Sequence, residues 1–211
     1  INNNFEYSKK IIDFSVKNKI NFIFSSSASV YGNGINGFSI ESKNENPLNI
    51  YAESKLLVDN YLRQLLKSEK NLQSQLTSLR YFNVYGFSEC HKGKMASVPY
   101  HFFNQIKSGD KIRVFKGSEK FYRDFIHVSD IVNIVEFMIS NSISGIYNAG
   151  TGVERSFLDM AQIARNHFLD VELEFIEFPH ELKNRYQKFT KADISNLKSV
   201  GYDCNFISLE Q

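Results

Sequence analysis

The stretch Phe22-Ile23-Phe24-Ser25-Ser26-Ser27-Ala28-Ser29-Val30-Tyr31-Gly32 decides the fold. Its apolar start, Ile20-Asn21-Phe22-Ile23-Phe24, reads as a buried strand that ends on a cluster of hydroxyls. Alone, the Ser cluster is a polar turn. The residues downstream of it give it another reading. A loop over 32–47, rich in Gly, Asn and Ser, is closed by Pro47, and a helix over 49–67 then opens with Tyr51-Ala52-Glu53-Ser54-Lys55. In open α/β sheets, ligands bind beyond the carboxyl ends of the strands, which is where these hydroxyls fall.

Outward from that stretch, helices and short apolar runs alternate, which predicts a parallel α/β sheet. A helix over 5–17 places Phe5, Ile11, Ile12 and Val16 on one face. Strands are expected over 77–82, 112–115, 125–128, 145–150 and 173–178, with an irregular stretch over 86–93. Helices are expected over 96–107, over 131–139 with Ser129 or Asp130 as cap, and over 191–200. Ser156-Phe157-Leu158-Asp159 has the form of a capping box that opens one more helix.

Composition excludes several classes. With 42% hydrophobic and 23% charged residues over 211 positions, the chain can bury a sizeable core. A net charge of +2 points to neither nucleic acid nor membrane, and no apolar run approaches the ~20 residues of a bilayer span. Cys90 and Cys204 lie far apart without metal-like spacing, so no metal or disulfide framework is expected and a reducing cytoplasm is the expected setting. The opening Ile1-Asn2-Asn3-Asn4 and the closing Ile207-Ser208-Leu209-Glu210-Gln211 read as the trimmed ends of something longer.

The strongest chemical signal is the Tyr51/Lys55 pair. Residues four apart on a helix share a face, and an ammonium near a phenol favours phenolate, from an ordinary pKa of about 10. That suits Tyr51 to acid/base work near neutrality. A Tyr-x-x-x-Lys spacing occurs by chance on many helices. The preceding strand, Ser cluster, loop and proline are what give this one weight.

Together these segments resemble the extended short-chain dehydrogenase/reductase family. The resemblance rests on residues 22–32 and the Tyr51/Lys55 pair. It rests also on Arg80-Tyr81-Phe82-Asn83-Val84-Tyr85-Gly86, Arg123-Asp124-Phe125-Ile126-His127-Val128-Ser129-Asp130 and Tyr147-Asn148-Ala149-Gly150-Thr151-Gly152. It implies a Rossmann-like doubly wound parallel sheet, formed here by 1–86 and 124–150. A smaller, discontinuous α/β substrate-binding domain would be formed by 87–123 and 151–211. Within the family, His91-Lys92-Gly93-Lys94-Met95-Ala96-Ser97, Phe115-Lys116-Gly117-Ser118 and Lys183-Asn184-Arg185-Tyr186-Gln187 are similar to the ADP-heptose 6-epimerase branch, which serves lipopolysaccharide precursor synthesis.

That branch implies transient oxidation of the heptose C6 with hydride transfer to NADP, then return of the hydride to the opposite face. Tyr51 and Lys92 are the implied acid/base pair, Lys55 the partner of Tyr51 and of the nicotinamide ribose, and Ser27 the holder of the reacting oxygen. Lys92 and the backbone of Val84 are also implied cofactor contacts. Asn83, Lys94, His101, Phe115, Lys116, Gly117, Ser118, Arg123 and Tyr186 match substrate positions. Lys94 stands where a small residue is expected. Arg123 could grip a diphosphate through its fork or pair locally with Asp124. His101 could equally be a packed helix histidine. The family also implies a homo-oligomer. Rival readings are a UDP-hexose 4-epimerase, which has no reason for Lys92, and a dehydratase, which needs an acidic pair that Ala28-Ser29 does not offer. A non-catalytic dinucleotide-binding scaffold is a third, against which the intact Ser27, Tyr51 and Lys55 count.

The family's glycine-rich pyrophosphate turn is not found, since the first glycine is Gly32. On the order of 90 preceding residues are expected to carry it, at ~30 per βαβ unit. The 211 residues by themselves are therefore expected to bind NADP poorly. Isothermal titration checks this, and a micromolar dissociation constant contradicts it.

Overall fold

A computed structural model describes residues 2–68, 72–168, 171–178 and 187–211. Three parallel strands, β1 (Phe22–Ser27), β2 (Leu76–Tyr81) and β6 (Gly145–Ala149), form a sheet in the order β1-β2-β6. A second sheet runs β3 (Asn83–Tyr85), β5 (Tyr122–His127), β7 (Glu154–Ser156), and a third pairs β4 (Ile112–Phe115) with β8 (Leu173–Ile176) in parallel. Helices α1 (Tyr7–Asn18), α2 (Ile50–Ser68), α3 (Val98–Lys107), α4 (Val128–Ser140), α5 (Phe157–His167) and α6 (Ser195–Ser199) complete the described elements. Among the described residues no helix is long and apolar enough to cross a membrane.

Strand alternation assigns the faces. On one side of the sheet, Phe24 and Leu76 pack with Ile12 of α1 and with Val58 and Leu62 of α2. On the other, Leu79 and Tyr147 pack with Ile131, Ile134 and Met138 of α4 and with Leu197 of α6. Helices on both faces of a parallel sheet make the doubly wound α/β arrangement that the family resemblance implies. Residues 200–206 join the second of these cores through Val200, Tyr202, Cys204 and Phe206.

The serines end the strand as expected, forming its last half, with Ser25, Ser26 and Ser27 paired to Leu79, Arg80 and Tyr81. Several expectations shift. The cap of α4 is neither Ser129 nor Asp130. His127 Nδ1 accepts the Ser129 N–H at 3.3 Å, and the helix begins three residues earlier than expected. The last helix covers only Ser195–Ser199, since Ala192 N–H is given to Asp124 and the Asp193 carbonyl accepts from Asn148. The segment over 90–95 is a 3-10 turn rather than irregular, and α3 begins at Val98 with Ser97 as its cap. The capping box at Ser156 and Asp159 is present in both directions.

Beneath α2 lies a buried ionic cluster. Arg80 is fully buried; its Nε donates to Asp59 of α2 at 2.8 Å and its Nη2 to Glu45 of the loop before α2. Arg63 donates to the same glutamate, and Ser78 Oγ donates to Asp59 at 2.6 Å. The Arg80 guanidinium also covers the Tyr31 ring at 4.9 Å. Tyr31 donates to Asn148 at 2.6 Å, and Asn148 donates to the Phe38 carbonyl at 2.7 Å. Gly32 follows where the chain passes so close to Asn46 that an added Cβ would lie 2.0 Å from its carbonyl oxygen. Removing one partner of a buried pair strands the other charge. Asp59→Ala should therefore cost about 3–5 kcal/mol in a urea unfolding titration.

Candidate active site

At Phe82 the chain leaves β2 and enters β3, its N–H still bonded to the Ala149 carbonyl at the end of β6. The strand ends diverge there, and a cleft of about 630 Å³ opens. Tyr51, Asn83, Val84, Lys92 and Arg123 all line it, with Glu89, Ser97, Phe157 and Gln187. Five residues expected from scattered segments thus share one concave surface.

Tyr51 lies in the first turn of α2, which Asn49 caps by accepting the Ala52 N–H at 2.9 Å, and remains 51% exposed. One turn on, the Lys55 ammonium is 5.7 Å from the Tyr51 ring centroid and 4.7 Å from that of Phe24. It donates to the Ser25 carbonyl at 2.7 Å. Burial lowers the Lys55 pKa from its ordinary value, opposed by the Asp59 charge one turn further along. Ser27 ends β1. Its Oγ accepts the Ser29 N–H at 3.2 Å, which leaves its own hydroxyl hydrogen to donate.

The opposite wall is the segment 86–97. Lys92 sits in its 3-10 turn with its side chain 40% exposed, and its Nζ lies 3.3 Å from Glu89 Oε2. Glu89 is 3% exposed and also accepts the Ser97 N–H at 2.8 Å, the Ser97 hydroxyl at 2.6 Å and the Gly86 N–H at 3.2 Å. Burial alone would raise its pKa, but the Ser97 bonds and Lys92 outweigh it and hold the carboxyl below its ordinary 4.5. Sequence reasoning missed Glu89. The available signal was a carboxylate three residues before Lys92 in a short turn.

Arg123 is 6% exposed. It donates to the Tyr122 carbonyl at 2.8 Å and to the Gln187 carbonyl, and covers the Phe157 ring at 5.5 Å. The neighbouring Asp124 carboxylate is taken up by the N–H groups of Thr151, Gly152 and Ala192 and by the Thr151 hydroxyl. Gln187 in turn donates to the Gly32 carbonyl, which ties the far side of the cleft to the Ser loop.

Other expected positions lie elsewhere. Lys94 is exposed on the 90–95 turn. His101 is half-buried on α3 with its ring 6.4 Å from that of Tyr100. Phe115 packs on Phe178 at 5.1 Å, Lys116 pairs with Glu177, Gly117 adopts φ +85°, and Ser118 is buried. These residues are not in the cleft's lining, and neither are Ser27 and Lys55. Tyr186 lies outside the described residues. No group of metal-ligating side chains occurs among the described residues.

A parallel α/β sheet with a Tyr/Lys pair at its strand ends defines a doubly wound scaffold of the kind that binds ligands beyond its strand ends. Residues 1–150 match the NAD dependent epimerase/dehydratase family, and the chain belongs to it. It is 49% identical over 208 residues to the ADP-L-glycero-D-manno-heptose-6-epimerase of Brachyspira hyodysenteriae, covering 98% of this chain and 65% of that protein. The chain thus spans just under two thirds of that relative's length. Among solved structures it resembles the Helicobacter pylori ADP-L-glycero-D-manno-heptose-6-epimerase, with TM-score 0.81 and 28% identity over 98% of this chain and 61% of that one. It is equally similar, at TM-score 0.81 and 28% identity, to the UDP-N-acetylglucosamine 4-epimerase of Methanobrevibacter ruminantium M1, over 96% of this chain and 63% of that one.

Glu45 and Glu89 both titrate below the ordinary 4.5. A carboxyl whose folded pKa is depressed contributes stability that is complete above its unfolded pKa and is lost as pH falls through the folded one. The urea midpoint should therefore drop as pH falls below about 4.5. Glu89→Gln should show a smaller drop.

Proposed function

We propose that this chain supplies the catalytic residues of an epimerase that inverts C6 of ADP-D-glycero-D-manno-heptose to give the L-glycero form, with NADP as resident cofactor. The observation that carries it is the convergence of Tyr51, Lys92, Asn83 and Arg123 on one cleft at the strand ends. The 49% identity to a heptose epimerase supports the substrate.

The donor set fits a nicotinamide dinucleotide. Lys55, fixed against the Ser25 carbonyl beside the Tyr51 ring, suits a ribose hydroxyl, and the backbone of Val84 stands at the cleft wall for the carboxamide end. When bound, the dinucleotide supplies a reversible acceptor for the hydride on the sugar's C6. Everything else falls to side chains. Tyr51 takes the C6 hydroxyl proton on the α2 side, one helical turn from Lys55. Ser27 keeps a hydroxyl hydrogen to donate to the same oxygen, although it ends β1 outside the cleft's lining. Lys92 gives a proton back to that oxygen from the opposite wall, as inversion requires access to two faces of one carbon. Arg123 and Asn83 orient the diphosphate and sugar. His101 and residues 115–118 lie outside the cleft and are assigned no contact.

In the intact enzyme, Tyr51→Phe should lower kcat by ~10²- to 10⁴-fold while leaving the circular dichroism spectrum unchanged. A rate near that of the unaltered protein would point to another base. Turnover of ADP-heptose with none of UDP-galactose is the expected specificity, and the reverse would favour a hexose 4-epimerase.

A further inference from the structure

The 86–97 wall has a feature that proton transfer by Lys92 does not by itself account for. Glu89 is a carboxylate buried to 3% exposure, yet it faces a cleft. Burying a carboxylate is costly unless its oxygens are satisfied, and here they are satisfied by only one short segment. Oε1 accepts the Gly86 N–H and the Ser97 hydroxyl, and Oε2 accepts the Ser97 N–H and the Lys92 ammonium. Gly86 and Ser97 are the two ends of the segment, so one side chain closes it into a loop.

Between those ends the backbone has little else to hold it. Residues 90–95 are all exposed, and Gly93 breaks the 3-10 turn with φ +52° and nothing within 4 Å of where a Cβ would be. A lysine has four rotatable side-chain bonds and gives up roughly 1.5–2 kcal/mol of rotamer freedom when fixed. On an exposed turn, something must fix it before it can act at a defined point. The only carboxylate paired with Lys92 among the described residues is Glu89.

We infer that Glu89 is the positioning residue for Lys92, closing the 86–97 loop through Gly86 and Ser97 while holding the ammonium against the cleft wall. This rests on the reading of Lys92 as a proton-transfer group. Glu89 touches no reacting atom and acts through Lys92 alone. Its two tasks are separable by chemistry. A glutamine keeps an oxygen that can accept from Ser97, but it carries no charge to hold an ammonium. An aspartate keeps the charge on a shorter stem.

The test compares Glu89→Gln, Glu89→Asp and Lys92→Met in the intact enzyme, with steady-state kinetics on ADP-heptose and thermal melts. Lys92→Met should be close to inactive. Glu89→Gln should lower kcat by ~10- to 100-fold, the scale of a misplaced catalytic group. KM should stay within about twofold and the melting temperature within about 4 °C, the shift of ~1 kcal/mol. Glu89→Asp should recover part of the lost kcat. The inference is overturned if Glu89→Gln turns over at the parent rate while Lys92→Met is inactive. It is also overturned if Glu89→Gln loses kcat only together with a collapsed melting temperature and Glu89→Asp restores neither. A fully active Lys92→Met would instead remove the reading of Lys92 on which it rests.

Discussion

Arg80 is a full positive charge with no exposure to water, and much of the structure is arranged around compensating it. Withdrawing such an ion from water costs several kcal/mol unless its surroundings restore what water supplied. Here the restoration comes from three directions: Asp59 from α2, Glu45 from the loop before α2, and the Tyr31 ring from the Ser loop. Tyr31 passes the constraint on to Asn148 at the end of β6. One guanidinium therefore fixes the spacing of β2, α2, β6 and the loop over 32–47. Burial alone would lower its pKa, but the neighbouring negative groups prevail and hold it protonated.

The chemistry inherits that rigidity. Lys55 and Asp59 are one turn apart on α2, and Tyr51 and Lys55 another. Fixing Asp59 to Arg80 fixes the axial position and rotation of the helix. That sets where Lys55 meets the Ser25 carbonyl and where the Tyr51 ring stands at the cleft. Asp124 does comparable work on the second sheet: it gathers the N–H groups of Thr151, Gly152 and Ala192, so that Arg123 next to it projects into the cleft from a strand that cannot shift. Burial raises the pKa of Asp124 against those bonds.

What the sequence disclosed and what it withheld divide along a physical line. The placement of Tyr51, Asn83, Val84, Lys92 and Arg123 along one cleft was legible because each sits in a local segment with its own pattern at a strand end or helix start, and a parallel sheet collects such ends on one side. Glu89 was not, because three of its four partners are backbone or hydroxyl groups whose positions depend on how the loop closes. His127 as the cap of α4 was hidden for a similar reason. A histidine ring accepts from an amide only in one rotamer and one tautomer, which no spacing reveals. The strand that the sequence reads as ending on the serines does so, with Ser25, Ser26 and Ser27 paired to β2 as the last half of β1. His101 and residues 115–118 matched by motif, but they pack on their own neighbours on α3 and at the end of β4 rather than in the cleft.

The two walls of the cleft are therefore held by different physics. The α2 wall is anchored by a dry ionic cluster shared among several elements, so its geometry should persist as long as the sheet does. The 86–97 wall is closed by one buried carboxylate and by the Phe87 ring against His127, with an exposed turn and a glycine at its tip. Such a segment opens at lower free energy than the core, because few buried contacts have to break. Groups on walls with no shared partner contribute nearly independently. Tyr51 and Lys55 can thus stay poised while the segment bearing Lys92 moves. The cleft thus has one fixed wall and one yielding wall, and that asymmetry comes from where the buried charges lie.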